Sequence, residues 1–286
     1  MYYHYLISSL PELYFSEKIK EHIFSDLVSD EKQNAFSFQS LFDEIKVNIT
    51  PKDKNFVNMI LMPYDHQNLI NLLHHREDLF IEKGLFDLNF LKNQIENEGD
   101  LLPPYQKEII MQYHLGENVE DESFDKHNME FVAWSRFYEF VQTTQTEAEF
   151  IKKWFAFDKI LRNIQSAWNC KKLGVDMSQQ ILGLEEDVNV FVKSNLPDYG
   201  LRREIPLGNE IFALLENNDV DILEREFQFD KIKWHIAEEL TTFNYFDINF
   251  ILAFLVKADI LDRWQKLNKT KGKEQLEDLV TNLTKK

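Results

Sequence analysis

The chain is 286 residues long, 44% apolar and 28% charged, with 49 acidic against 32 basic side chains and a formal charge of −17. Such a balance excludes the clustered Lys and Arg that neutralise nucleic-acid phosphates; it favours basic partners, or simply a surface that stays dissolved. The length suffices for one large or two to three small domains whose cores need no staple, and the single Cys170 permits no intramolecular disulfide.

Only 8 Gly and 7 Pro interrupt the chain, so its interspersed apolar and charged residues predict amphipathic helices and an all-α fold. The opening Met1-Tyr2-Tyr3-His4 has no basic leader region, and no apolar run approaches the ~20 residues that cross a bilayer. The expectation is a cytoplasmic protein, without direct membrane insertion, that meets any membrane complex through other proteins.

The first candidates for chemistry along the chain are His66, His74 and His75, with Glu77 and Asp78 nearby. Imidazole and carboxylate bind zinc or iron when several converge. Adjacent His74 and His75, however, point about 100 degrees apart on a helix, and no His-Glu-x-x-His occurs. A solvated face opposite Leu69, Leu72 and Leu73 is the better reading, and no metal or cofactor is expected. Gly116 to Asn128, carrying Glu117, Glu120, Asp121, Glu122 and Asp125, reads as an exposed loop.

Phe131, Trp134, Tyr138 and Val141 fall at helical spacing and predict a helix over 129–141. A stripe of Phe150, Trp154, Phe157, Leu161, Ile164 and Trp168 predicts a longer one over 146–172. The short Gln142–Thr146 connection makes the two an antiparallel hairpin with Thr146 as N-cap. Glu147 and Glu149 near the start, Lys171 and Lys172 near the end, and Gly174 as the stop agree with the helix dipole. A stripe this aromatic reads as core between helices before it reads as a ligand groove. Gly174 to Asn209 then reads as a linker.

Towards the carboxy terminus, Ile232, Ile236, Leu240 and Phe243 mark one helix face. Phe250, Ile251, Phe254, Leu255, Ala258 and Leu261 mark a second. Between them Asp247 is the expected N-cap and Phe246 the expected hydrophobic staple. His235 and Glu239 read as a surface pair, and Leu223-Glu224-Arg225-Glu226 as an ion-paired surface in which Arg225 bridges neighbouring helices. Lys266, Lys269, Lys271 and Lys273 form the one basic cluster, a solvated loop before a last helix over 274–283.

Aromatic-Asp pairs recur at Phe42-Asp43, Tyr64-Asp65, Phe86-Asp87, Phe124-Asp125, Phe157-Asp158, Phe229-Asp230 and Phe246-Asp247, and most read as staples and caps. Asp65, Asp158 and Asp247 are nearly evenly spaced, which hints at three related helical units. No phosphate-binding Gly-x4-Gly-Lys-Ser/Thr, dinucleotide Gly-x-Gly-x-x-Gly or nucleophile-elbow Gly-x-Ser-x-Gly is present, so the chain is not expected to hydrolyse ATP itself.

Several strings carry a resemblance. They are Tyr2-Tyr3-His4-Tyr5-Leu6-Ile7-Ser8-Ser9-Leu10-Pro11, Ser194-Asn195-Leu196-Pro197-Asp198-Tyr199-Gly200-Leu201 and Leu223-Glu224-Arg225-Glu226. Asp230, Trp234, Thr242-Phe243-Asn244-Tyr245-Phe246, Leu252-Ala253-Phe254-Leu255 and Arg263-Trp264 follow in order. Together they resemble a group of bacterial proteins whose genes lie beside those of V-type ATP synthases and which look like diverged relatives of that machine's C-type stalk protein, the socket of its central stalk. The resemblance implies two or three related helical modules. It also implies a non-catalytic accessory or central-stalk component that couples rotor shaft to membrane ring, with the other V-type ATP synthase subunits (stalk and membrane ring) as partners. On that reading the modules span 1–115, 116–208 and 209–286, and the chain is a monomer in isolation. Glu224, Arg225, Asp230, Trp234 and Arg263 are the candidate partner-binding or scaffold residues. The alternative reading is a free acidic helical adaptor for a basic protein partner.

Overall fold

A computed structural model describes residues 3–20, 37–118 and 126–267, and over these the chain is all-α. The helices are α1 (His4–Ser9), α2 (Phe38–Asn48), α3 (Pro51–Leu73), α4 (Leu88–Glu96), α5 (Pro104–Asn118), α6 (Lys126–Thr143), α7 (Glu149–Leu173), α8 (Glu185–Val192), α9 (Gly208–Glu216), α10 (Ile222–Glu239) and α11 (Ile248–Lys266). A 3₁₀ turn, Glu77–Leu79, follows α3. No described helix is long and apolar enough to cross a membrane. Asp125, Lys269, Lys271, Lys273 and the helix expected over 274–283 lie outside the described residues.

Two compact units divide the chain, one made of Met1–Thr50 with Phe229–Lys286 and the other of Pro51–Gln228. Their boundaries fall at 50/51 and 228/229, whereas the sequence reading placed its divisions at 115/116 and 208/209. In the first unit α2 packs on α11, with Phe42, Ile45, Ile251, Leu252, Leu255, Ala258 and Trp264 buried. Ser37 caps α2 by accepting the Ser40 N–H, and Asp247 caps α11 by accepting the N–H groups of Asn249 and Phe250.

The second unit is built on α3, α6 and α7. α6 and α7 form the expected antiparallel hairpin: Gln142 donates to the Lys152 carbonyl, Tyr138 to Asp158, and the Arg162 guanidinium lies over Trp134. Phe150, Trp154, Phe157, Leu161 and Ile164 are buried, as the stripe predicts, while Trp168 and Phe131 are only half-buried. The helix starts at Glu149, later than expected. The Thr146 hydroxyl accepts the Ala148 N–H two residues on, a local turn that competes with helix, so Thr146 is not the N-cap. Gly174, at φ 69°, ends α7 in the left-handed region as expected.

α3 departs from the sequence reading most. Pro51 sits at its first position, where a missing N–H costs nothing, and the helix runs on through Pro63. It packs against α4, α5, α6 and α7, which leaves exposed residues only in its first turns, at Pro51, Lys52 and Asn55; His66 is fully buried, opposite the expectation. The segment expected to be a linker, 174–209, contains α8 and the start of α9.

Side-chain amides tie the loops to the long helices. On α3, the fully buried Asn68 donates to the Ile81 carbonyl at 2.8 Å and accepts the Ile81 N–H at 2.7 Å. On α7, the fully buried Asn163 does the same to Leu182, at 2.8 and 2.7 Å.

Removing the Trp154 side chain leaves a cavity in the hairpin, so Trp154→Ala should lower unfolding free energy by roughly 3 to 5 kcal/mol in denaturant titration. A loss below about 1 kcal/mol would mean that the stripe is not core.

Candidate functional site

The five residues singled out from the sequence fall into both units. Asp230 on α10 is 4% exposed, and its Oδ2 accepts the Trp264 indole N–H at 2.6 Å and a hydrogen bond from Arg263. The Arg263 side chain is itself half-exposed. Trp234 turns to another side of the helix. Its indole donates to Glu238 at 2.9 Å, Lys257 lies over its ring, and Phe15 stacks on it at 5.6 Å. Asp230, Arg263 and Trp264 therefore clamp α10 to α11, and Trp234 anchors the segment that bears Phe15.

Glu224 and Arg225 belong to the other unit. Asp221 accepts the Glu224 N–H, and Gln228 donates to the Glu224 carboxylate. Arg225 donates to the Asn217 carbonyl at 3.0 Å and the Val220 carbonyl at 3.4 Å. It thus caps the end of α9 with its guanidinium, which favours the negative end of a helix. His235 and Glu239 are exposed, as a surface pair requires, and Lys266 bonds Asp262.

Phe243 is not on the face assigned to it: it is 88% exposed. The hydroxyls of Thr241 and Thr242 donate to the carbonyls of Ala237, Glu238 and Glu239, which satisfies the last turn of α10 and ends it before Phe243 is reached. Tyr245 is 59% and Phe246 41% exposed. Phe246 meets the His4 ring at 4.2 Å and accepts the Tyr3 N–H through its carbonyl, and so serves to pin α1 instead of stapling α11.

A second cluster, inside Pro51–Gln228, was not legible as a unit. Asp65 and His66 on α3 adjoin Tyr105 and Gln106 on α5, and all are buried, Asp65 at 1% and Gln106 at 0% exposure. Asp65 Oδ1 accepts the Phe86 N–H at 3.1 Å. A side chain at Gly84 would sit 2.2 Å from that oxygen, so only glycine lets the loop cross the carboxylate. Asp65 Oδ2, both ring nitrogens of His66, the Tyr105 hydroxyl and both amide atoms of Gln106 have no partner of ordinary geometry. Native interiors hold few such atoms, so four adjoining residues that carry them call for an explanation. Asp65 and Gln106 line a cavity of about 350 Å³ with Asn58, Phe56, Phe86 and Phe140. The sequence signal was an acid and an imidazole close behind the apolar run Met59-Ile60-Leu61-Met62.

Burial governs the protonation of this cluster. It pushes the Asp65 carboxyl up to about 6, against partial relief from the N–H groups of Leu85 and Phe86. It pushes His66 down to about 3, helped by the Arg162 guanidinium. Tyr105 is raised by burial and then by the Asp65 charge, against partial relief from the Gln106 side chain. His66 lies among Tyr105, Trp134 and Phe137, a box that suits a neutral ring.

A larger cavity, about 570 Å³, lies beside Ser135, Tyr138 and Gly183. Its Lys159 and Asp187 are paired with each other, and its Arg136 with Glu108. Among the described residues no group of three or more His, Cys, Asp or Glu is placed to hold a metal ion.

Because Arg263 is half-solvated while Trp264 is 1% exposed, Trp264→Phe should cost more than the loss of the charge fork. Denaturant titration should give roughly 1.5 to 3 kcal/mol for the lost bond to a buried carboxylate, and under about 1 kcal/mol for Arg263→Lys.

The two shifted groups of the cluster act on stability with opposite signs. His66, depressed from 6.5, stabilises above pH 6.5 and loses that contribution as pH falls towards 3. Asp65, raised from 3.8, stabilises below pH 3.8 and loses that contribution as pH rises through about 6. Measured from pH 7 to pH 4, wild type should therefore lose stability relative to His66→Phe and gain it relative to Asp65→Asn, by a few kcal/mol in each case (about 1.4 kcal/mol per pKa unit). Parallel curves for the wild type and both variants would show that neither group is shifted.

No curated protein gives a significant match to the chain. A family model described as "Protein of unknown function (DUF2764)" matches residues 2–286, nearly the whole sequence. The chain therefore belongs to this family.

Proposed function

We propose that the chain is a non-catalytic accessory or central-stalk component of a V-type ATP synthase, a socket of the C type that couples rotor shaft to membrane ring. What supports the reading first is the aromatic turn between α10 and α11. Thr242-Phe243-Asn244-Tyr245-Phe246 is one of the strings that resemble the ATP-synthase-associated group, yet Phe243 and Tyr245 are exposed, so core packing does not account for them. Tyr5, at 95% exposure, stands next to His4, whose ring meets Phe246. Exposed aromatics gathered in this way mark protein interfaces. Close-packed helical hairpins deform little, which suits a part that transmits force.

A tagged copy recovered from native cells under gentle extraction should bring V-type ATP synthase subunits with it. Phe243→Ser combined with Tyr245→Ser should cut that recovery at least tenfold at an unchanged melting temperature, since exposed positions contribute little to stability. Failure of the wild type to recover any part of the ATP synthase would end the proposal.

The second reading, a free adaptor for a basic partner, is favoured by the charge of −17. It is distinguished by recovery of a basic protein that falls steeply with ionic strength; a contact with a buried apolar centre persists in salt.

A further inference from the structure

The cavity at Asp65 combines one carboxyl group with carboxamides and aromatic rings. Among the described residues that line it, Asp65 is the one ionisable group. Asp65 Oδ2, Gln106 Oε1 and Asn58 Oδ1 are buried without a hydrogen-bond partner, and the carboxamides of Asn55 and Gln145 also belong to the lining. Met59 also lines it, and Pro63, four residues on, has no N–H to give the Met59 carbonyl. The rest of the wall is largely apolar, with the rings of Phe56, Phe86 and Phe140.

Two other buried helical carboxylates among the described residues are matched with donors: Asp158 has Tyr138 and Arg162, Asp230 has Arg263 and Trp264. Asp65 has backbone N–H groups on one side only. A carboxylate held out of water is costly unless it is paired, so the missing positive partner points outward from the chain to a ligand.

We propose that this cavity binds a small organic cation, a primary ammonium on a short alkyl body. The ammonium has three N–H donors and no acceptor, which matches Asp65, Gln106 and Asn58 as a set. The phenylalanine faces attract the cation and cover the alkyl chain, and a volume near 350 Å³ suits a small molecule. Magnesium or calcium asks for six or more oxygens, which walls with three phenylalanines do not supply. Burial, which holds the Asp65 carboxyl up to about 6, makes the site weaken in acid. The site does not depend on the central-stalk reading.

The test is calorimetric titration of the full chain with n-butylammonium chloride, with 1-butanol, and with potassium chloride at matched ionic strength. Butylammonium should bind saturably at pH 7.5 and at least tenfold more weakly at pH 5, and the other two should give no saturable heat. Asp65→Asn should abolish binding while the helical circular dichroism is kept. If that variant does not fold, Gln106→Leu serves in its place and should weaken binding at least tenfold. Equal binding of 1-butanol would reduce the site to an apolar cavity and overturn the proposal. So would undiminished binding in either folded variant, saturable binding of potassium, or no response to any probe, which would leave a water-filled cavity only.

Discussion

Long helices in this protein hold their neighbouring loops by buried side-chain amides, and the arrangement of the larger unit depends on that constraint. An irregular segment laid against a helix must satisfy its own N–H and C=O groups. Asn68 does so for Ile81, and Asn163 for Leu182, each amide giving and accepting one bond with the same residue. Asn71 adds a bond to the Leu79 carbonyl, and Gln94 accepts the Leu101 N–H. An apolar side chain at either asparagine would leave two buried backbone groups bare, each worth about 1 to 3 kcal/mol. α3 and α7 thus repeat one device, a long helix whose buried asparagine pins the loop that leads to a short helix.

The same accounting separates structural from reactive carboxylates. Asp158 and Asp230 are buried but supplied with donors from a neighbouring helix or turn, so their charge becomes a fastener between helices. Asp65 fastens only the loop at Phe86, through one oxygen. Its second oxygen is polarity that packing alone does not require. Apolar side chains of the same shape would serve a plain core as well or better. That asymmetry marks the α3–α5 contact as the place in Pro51–Gln228 where binding, and not cohesion, explains the residues.

How much was legible follows from the number of partners each helix has. The α6–α7 hairpin was readable because α7 buries a stripe of bulky residues at helical spacing; only its start was displaced, by the Thr146 turn. α3 was not, because neighbours surround it and a helix buried on several sides has no polar face to set the period. His66 was accordingly assigned to solvent and lies in an aromatic box. Of the aromatic-Asp pairs, Asp87 and Asp247 are caps as read and Asp158 lies within the long helix that the stripe predicts, whereas Asp43, Asp65 and Asp230 also lie inside helices. Local sequence does not distinguish the two outcomes, since whether a helix begins at an Asp or passes through it is settled by tertiary packing. Pro63 made this harder, because it reads as a breaker two residues before Asp65.

The aromatic turn of the other unit presents the reverse situation, apolar side chains held outside by polar bonds. Asp247 accepts from Asn244 at 2.7 Å as well as from the first N–H groups of α11. The Tyr3 N–H bonds the Phe246 carbonyl, and the Tyr3 hydroxyl accepts the Thr50 N–H. The backbone that carries Phe243 and Tyr245 is thereby fixed at both ends of the turn before anything binds. Rings presented on a pinned backbone lose little freedom on association, so more of their burial is realised as affinity. A loop that merely failed to bury its aromatics would have no need of these bonds. Their presence argues that exposure at Phe243 and Tyr245 is a built feature of the fold.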